Sequence, residues 1–424
     1  MLNKLHVSAG KRGAARSETR RPLLYPMLAF AWLLIFAGSS RAADPTAEVV
    51  TQPSGLSPLD TVSDFVKPAP RVQIFSQFHI GYDDNFQTAN SGRGAWFTNE
   101  QLTLSYHLPS REMQLSLLAG VGLIDYLGER HDTTGFLDLA FARSFSRRLA
   151  LSASISATYQ AEPDFTENVG PNRFRGNYFA MRDNIALSYA LGPRFSLVSS
   201  YGLQLVRYDN AATAAFADRE SHLFGEQLRF SFTSKTVLTA DYRLQLVDYV
   251  SAPFDSTTDF FLAGVEEQFS RNLSAQLRAG ASVRFPEFGD TQTNPDFEWG
   301  LNYARGRDVL SWTARYSVEQ SAERSIQDSV TFRTGVVYTR ELTGRLSSSI
   351  AVYYHHDNNQ QIIAPFMIGP TFDENTIDVT AHLRYRVNPR FSVDAATTHS
   401  QILSALTNRE YSRNRYSIGM TYSF

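Results

Sequence analysis

The chain has 424 residues, with 40 Lys and Arg against 42 Asp and Glu, a formal charge of −2, and no cysteine. The missing cysteine excludes disulfides, thiolate metal sites, cysteine nucleophiles and a lipidated cysteine anchor. The near-neutral balance argues against a general nucleic-acid binder, which is normally basic. A mean hydropathy of −0.26 argues against a bundle of spanning helices.

The first segment reads as an address. Lys4, Lys11, Arg12, Arg16, Arg20 and Arg21 precede an apolar run over 23–38. That run is short for a spanning helix, which needs about 20 apolar residues. Ser40-Arg41-Ala42 places small residues at −3 and −1 of a cut after Ala42. The layout predicts a cleavable secretory signal peptide over 1–42, with an uncleaved anchor helix as the alternative. Removing it leaves 33 basic against 41 acidic residues, a net charge of −8. Residues 43–70 carry Pro45, Pro53, Pro58, Pro68 and Pro70. This density predicts an extended periplasmic linker or a plug.

From 71 to 424 the texture has period two. Ile377, Val379, Ala381, Leu383 and Tyr385 alternate with Asp378, Thr380, His382, Arg384 and Arg386. Leu310 to Val318 and Leu238 to Leu246 repeat the pattern. Only a strand puts such residues on two opposite faces. Strands are predicted over 72–82, 97–108, 113–126, 135–145, 149–160, 177–191, 195–208, 220–232, 236–249, 258–269, 273–285, 294–305, 309–320, 328–340, 345–356, 374–387, 391–403 and 411–424. That is eighteen, with sixteen as the nearest alternative.

Tight turns bearing a basic residue, such as Ser146-Arg147-Arg148, Gly192-Pro193-Arg194 and Asn388-Pro389-Arg390, alternate with longer acidic loops over 128–134, 161–175, 209–219, 286–295 and 357–372. Eight tight turns then lie on one rim and nine long loops on the other. Short turns on one side, long loops on the other and an even strand count predict an all-β fold: a transmembrane antiparallel up-and-down barrel in a bacterial outer membrane. A periplasmic or secreted sandwich or solenoid is the competing fold. Tyrosines favour the barrel. Tyr106, Tyr189, Tyr303, Tyr338 and Tyr385 are expected on the apolar face beside the tight turns, and Tyr82, Tyr126, Tyr208 and Tyr249 at the opposite ends. Two aromatic belts around an aliphatic band suit a bilayer.

The last strand resembles the signal that outer-membrane barrels present to the barrel-assembly machinery. Its residues are Ser417, Gly419, Tyr422 and the terminal Phe424. The first strand ends Gly81-Tyr82-Asp83-Asp84-Asn85-Phe86, and residues 187–197 read LSYALGPRFSL. Both resemble the family called putative β-barrel porin type 2. That resemblance implies an outer-membrane barrel, carries no catalytic residues and suggests a link to exopolysaccharide clusters.

If the apolar face meets lipid, the other face lines the lumen. The phase puts Arg182, Arg229, Arg243, Arg278, Arg284, Arg315, Arg333, Arg384, Arg386, Arg413 and Arg415 there, with Asp138, Asp241, Glu266, Glu298, Glu319, Asp378 and Asp394. Such a lining orients polar or anionic solutes, or else pairs internally and fills the interior. The loop over 357–372 holds Ile362, Ile363, Phe366, Met367 and Ile368, and so is expected to fold inward, to meet a neighbour or the bilayer, or to pack on its own barrel.

Enzymatic signals are weak. Asp83-Asp84 suggests an acid pair or, more simply, a solvated turn. His355-His356-Asp357 puts adjacent residues on opposite faces, poorly placed to share a metal ion. No hydrolase, zinc-protease or phosphate-loop motif appears. The expectation is a porin-like channel for small hydrophilic solutes, with no enzyme activity, cofactor, metal or nucleic-acid partner. Its expected partners are outer-membrane lipid, lipopolysaccharide and the assembly machinery. A component of exopolysaccharide export and a non-conducting structural barrel are the alternatives.

Overall fold

The structure is a computed structural model. It describes residues 72–424 apart from 110–112, 161–176, 253, 288, 321–325, 365–366 and 407–408. The expected signal peptide, the linker and the loop over 161–175 lie outside the described residues.

The strands are β1 Val72–Asp83, β2 Ala95–Pro109, β3 Met113–Tyr126, β4 Arg130–Ser144, β5 Leu149–Gln160, β6 Tyr178–Ala190, β7 Phe195–Tyr208, β8 Arg219–Ser231, β9 Thr236–Tyr249, β10 Ser256–Ser270, β11 Leu273–Pro286, β12 Gln292–Arg305, β13 Asp308–Gln320, β14 Ile326–Glu341, β15 Leu346–Ala364, β16 Met367–Asn388, β17 Phe391–Ser404 and β18 Tyr411–Ser423. A short helix, α1, spans Ala211–Ala217 between β7 and β8. Each strand pairs antiparallel with its sequence neighbours, and β1 also pairs with β18, so the eighteen-stranded sheet closes on itself.

The tight turns share one local chemistry. The hydroxyl of Thr233 accepts from the N–H of Lys235 at 3.0 Å and of Thr236 at 2.9 Å. Ser146, Thr343 and Asn388 accept in the same way from the residues two and three ahead. A short polar side chain thus satisfies backbone donors that the turn would leave open. In the two-residue β12–β13 turn Gly306 takes φ +63°, a conformation that favours glycine.

Apolar and polar residues are inverted relative to a soluble protein. Val121 (64% exposed), Ile350 and Ile418 face outward, while Asp138, Asp378, Glu374 and Arg284 are buried on the inner face. An outward apolar surface on successive strands requires hydrocarbon around it. Tyr106, Tyr189, Tyr303, Tyr338 and Tyr385 share the outward face near the tight turns, as expected.

The opposite belt needs correction. Tyr82 faces outward, but Tyr126, Tyr208 and Tyr249 point inward and are buried. Register decides this. Tyr126 pairs with Phe97, Tyr208 with Tyr178 and Tyr249 with Arg219, all inward positions. Each packs under rim residues: Tyr126 against Phe86, Tyr208 with Ala217 of α1, and Tyr249 with Ala252. Trp96 and Tyr416 complete the outward set beside Tyr82 instead.

Two connections also differ from expectation. The β3–β4 ladder zips up to Tyr126↔Arg130, so that connection is short. The segment over 357–372 is not a free loop: β15 and β16 stay paired to Ala364↔Met367 and continue the hairpin.

The Gly81–Phe86 motif sits on the closing seam. A Cβ on Gly81 would lie 2.1 Å from the Tyr416 carbonyl oxygen. Asp83 is fully buried. It accepts from Arg413 Nε at 2.9 and 3.1 Å, from Arg413 Nη2, and from the Tyr126 hydroxyl at 3.4 Å. Asp84 accepts from the backbone N and side-chain Nδ2 of Asn414 at 2.6 and 2.7 Å. Asn85 Nδ2 donates to the carbonyls of Ala89 at 2.8 Å and Ser412 at 3.0 Å. Phe86 stacks on Tyr126, centroids 5.1 Å apart. Asp83 and Asp84 therefore face opposite sides, and each clasps β18. The expected turn is there, with Asp83 accepting from the N–H of Asn85 at 3.0 Å, but it is buried at the seam rather than solvated, and the two carboxylates do not form a pair.

Removing one partner of a buried ion pair leaves the other charge uncompensated. We expect Asp83→Asn to lower barrel stability by about 3–5 kcal/mol, read as the denaturant midpoint of the folded band on unheated SDS gels. An unshifted midpoint would remove the clasp. Gly419 offers a second check, because a Cβ there would meet the His79 ring at 2.0 Å. Gly419→Ala should cost about 1–3 kcal/mol by overpacking.

Candidate functional site: the barrel interior

The lumen face follows from register. Arg278 pairs with Glu298, Glu298 with Arg315, and Arg315 with Arg333, so one row crosses four strands on one face. Extending that phase around the ladder places all the lining residues predicted from sequence on the same face. The concave side is fixed by contacts that skip strands. Arg243 on β9 donates to Glu298 on β12 at 2.7 and 3.2 Å, over two intervening strands.

The interior charges are largely paired. Arg229 forks onto Glu266 at 2.6 and 2.8 Å. Arg278 lies 3.3 Å from Glu298, 3.4 Å from Glu266 and 3.7 Å from Asp241. These contacts join β8 to β12 in one network. On β13 and β14, Glu319 is held by Arg333 at 2.5 Å and by Arg315. Arg182, from β6, lies within electrostatic reach of that carboxylate. Asp394 sits 3.0 Å from His79 Nε2 and 3.4 Å from His382 Nε2. Arg413 belongs to the Asp83 clasp, and the Arg415 guanidinium covers the Phe97 ring at 4.1 Å. Arg284, Asp138 and Asp378 are buried, and Arg386 donates to the Gly344 carbonyl at 2.6 Å. Bidentate guanidinium–carboxylate pairs fix both partners in place.

The interior is filled unevenly. On β14 to β16 the inward Thr331, Val337, Ser349, Tyr353, His355 and Thr376 are all buried. Over the tight-turn half of β5 to β7 the inward positions include Ser152, Ser154, Ser156, Asn184, Ala186, Ser188, Ser196, Ser200 and Gly202. None of these is buried, and Asn184 is exposed. Toward the long-loop rim the same wall is filled, with inward Arg182 and buried Thr158, Tyr178, Ala180, Val206 and Tyr208, so the small side chains line only part of it.

Sequence reasoning missed several interior groups. Asp83, His79 and Asp296 carry the same period-two signal as the predicted set, and each faces inward. Arg409 lies outside the strands and forks onto Glu374 at 2.7 and 3.3 Å, a pair no periodicity reveals. Of the weak metal signal, His355 faces inward and is buried, whereas His356 bonds Asn375 on the outward face. Glu220, His222 and Asp248 bring ligand atoms within 4.8 Å of one another on the outer face, but Arg207 already pairs with Glu220 and Tyr201 with His222. Of the terminal residues, Ser417 and Gly419 face inward. Tyr422 and Phe424 meet edge to face at 5.0 Å.

The profile of the family described as Putative beta-barrel porin 2 matches residues 76–424. No curated protein matches the chain. Among solved structures the chain is similar to the outer membrane protein opdK from Pseudomonas aeruginosa, with 13% identity, 83% of this chain and 99% of that one covered, and a TM-score of 0.43. It is similar to OpdL of the same species at 13% identity, 83% and 99% coverage and TM-score 0.42. The siderophore receptor PirA from Pseudomonas aeruginosa gives 9% identity, 84% and 81% coverage and TM-score 0.40. The chain belongs to the Putative beta-barrel porin 2 family and is a porin-like outer-membrane barrel.

Proposed function

We propose that this barrel passes small hydrophilic solutes passively across the outer membrane after export by a cleaved leader and insertion by the assembly machinery. The carrying observation is the hydroxyl-rich tight-turn half of the inner wall of β5 to β7, where none of the small side chains named above is buried. A row of Ser and Asn offers both donors and acceptors to a moving solute. The paired charges on β8 to β14 set the local field without each demanding its own counter-ion.

The test is conductance in planar bilayers after refolding, with folding checked by the mobility shift on heating. Stepwise conductance is expected, and its absence from folded protein would sink the channel reading. Ser154→Trp combined with Asn184→Trp should lower single-channel conductance with little change in the denaturant midpoint, because neither position is buried and Asn184 is exposed. Glu298→Gln should shift the reversal potential toward anion preference, since Arg243 and Arg278 lose their shared carboxylate. That change should also cost about 1–3 kcal/mol of stability.

A further inference from the structure

The tight-turn rim opens on a cavity of about 410 Å³ between β1 to β4 and the ends of β14 to β18. Its lining holds Arg345, Arg384, Arg386 and Arg390 against the single carboxylate of Glu341. Arg384 and Arg386 rise from the inner face of β16, whereas Arg345 and Arg390 belong to two neighbouring turns. Four guanidiniums thus converge on one mouth from three chain segments. Arg386 is braced by the Gly344 carbonyl at 2.6 Å, which holds its fork at the wall. Amides and hydroxyls of Gln73, Gln77, Gln101 and Ser105 cover the other side. Phe75 and Phe136 add two apolar ring faces.

Each part of that lining selects a chemistry. Guanidinium forks match the planar oxygens of carboxylates and phosphates. Amide and hydroxyl groups suit a solute with many hydroxyls. Phenyl faces suit the apolar face of a small ring. A mouth with low-dielectric walls and one sign of charge raises the local concentration of the opposite sign. We propose that this vestibule is a binding site for a small anionic polyol, a sugar carrying a carboxylate or a phosphate. The proposal deepens the channel reading by naming the solute class that the tight-turn mouth collects. It is measured by binding, without conduction.

The experiment is titration calorimetry on the folded barrel in detergent at low ionic strength. The probes are D-glucuronate, glucose 6-phosphate and glucose. Both anions should bind and glucose should not. Arg384→Gln with Arg386→Gln should weaken anion binding about tenfold or more, the loss of charge-assisted hydrogen bonds. Arg345→Gln with Arg390→Gln changes only turn residues and should weaken it too, so a folding defect in the strand variant does not leave the site undecided. Arg147→Gln with Arg194→Gln alters two turns away from the cavity and should leave binding unchanged. Glucose binding as well as glucuronate, or equal loss in the Arg147/Arg194 variant, would overturn the site. Binding without conductance would remove the channel reading alone. Conductance without binding would remove the vestibule alone.

Discussion

Everything in this molecule depends on one constraint: a sheet in hydrocarbon has no water to satisfy a free edge. Seventeen of the eighteen strand junctions form between sequence neighbours, where a turn holds the partners close. The last junction joins β1 to β18 across most of the chain. Bringing distant segments together carries a loop-closure cost that a hairpin avoids. The densest set of buried side-chain bonds in the first strand lies at that junction. Asp83 and Asp84 reach residues 330 positions away, one from each face of the sheet. The most conspicuous motif of the sequence is thereby explained by closure rather than by chemistry on a substrate.

Closure also dictates how the interior must be built. Once the outer face is given to lipid, the polar half of every strand turns inward, and its charges sit in a confined space. A buried charge there is costly unless paired. Arg229, Arg243 and Arg278 answer with Glu266, Glu298 and Asp241, in a network extending over five strands. If every wall were built this way the barrel would be solid. The walls differ because the tight-turn half of β5 to β7 carries Ser, Ala and Asn, whereas its other half carries Arg182, Tyr178 and Tyr208. Side-chain volume thus decides how tightly each stretch of the interior is filled.

Much of this was legible in the residues. Period-two alternation locates every strand and puts every predicted lining charge on the inner face, with ends within about two positions except where β4 starts five earlier, β15 ends eight later and β16 starts seven earlier. What it missed has physical reasons. Tyr126, Tyr208 and Tyr249 were assigned by residue type at strand ends, where the rule that tyrosine sits in a belt competes with the phase of the strand. Phase won, because a one-residue shift would have turned Val121 and Leu123 into the lumen. The hairpin over 357–372 resembles a loop because its polar flank and apolar tip lack period-two alternation, yet β15 and β16 keep pairing up to Ala364↔Met367. Arg409 lies outside any strand, so its bond to Glu374 needed three-dimensional proximity. The open wall was hidden because alternation reports which face a residue takes, not how much space it leaves.

Two of these misreadings share one cause. Asp83 looked like the start of a solvated turn, and Tyr126 looked like a belt residue. In the fold the Tyr126 hydroxyl donates to the Asp83 carboxylate, with Arg413 on the other side. Tyr126 faces inward because the buried carboxylate gives its hydroxyl a partner there, where lipid would give it none. Asp83 stays buried because Arg413 and Tyr126 both point at it. Neither residue has a sensible local reading, and together they have one. A motif confined to one strand end is therefore informative about a partner strand at the far end of the chain. The inward tyrosine is a consequence of sealing the barrel, not a departure from its pattern.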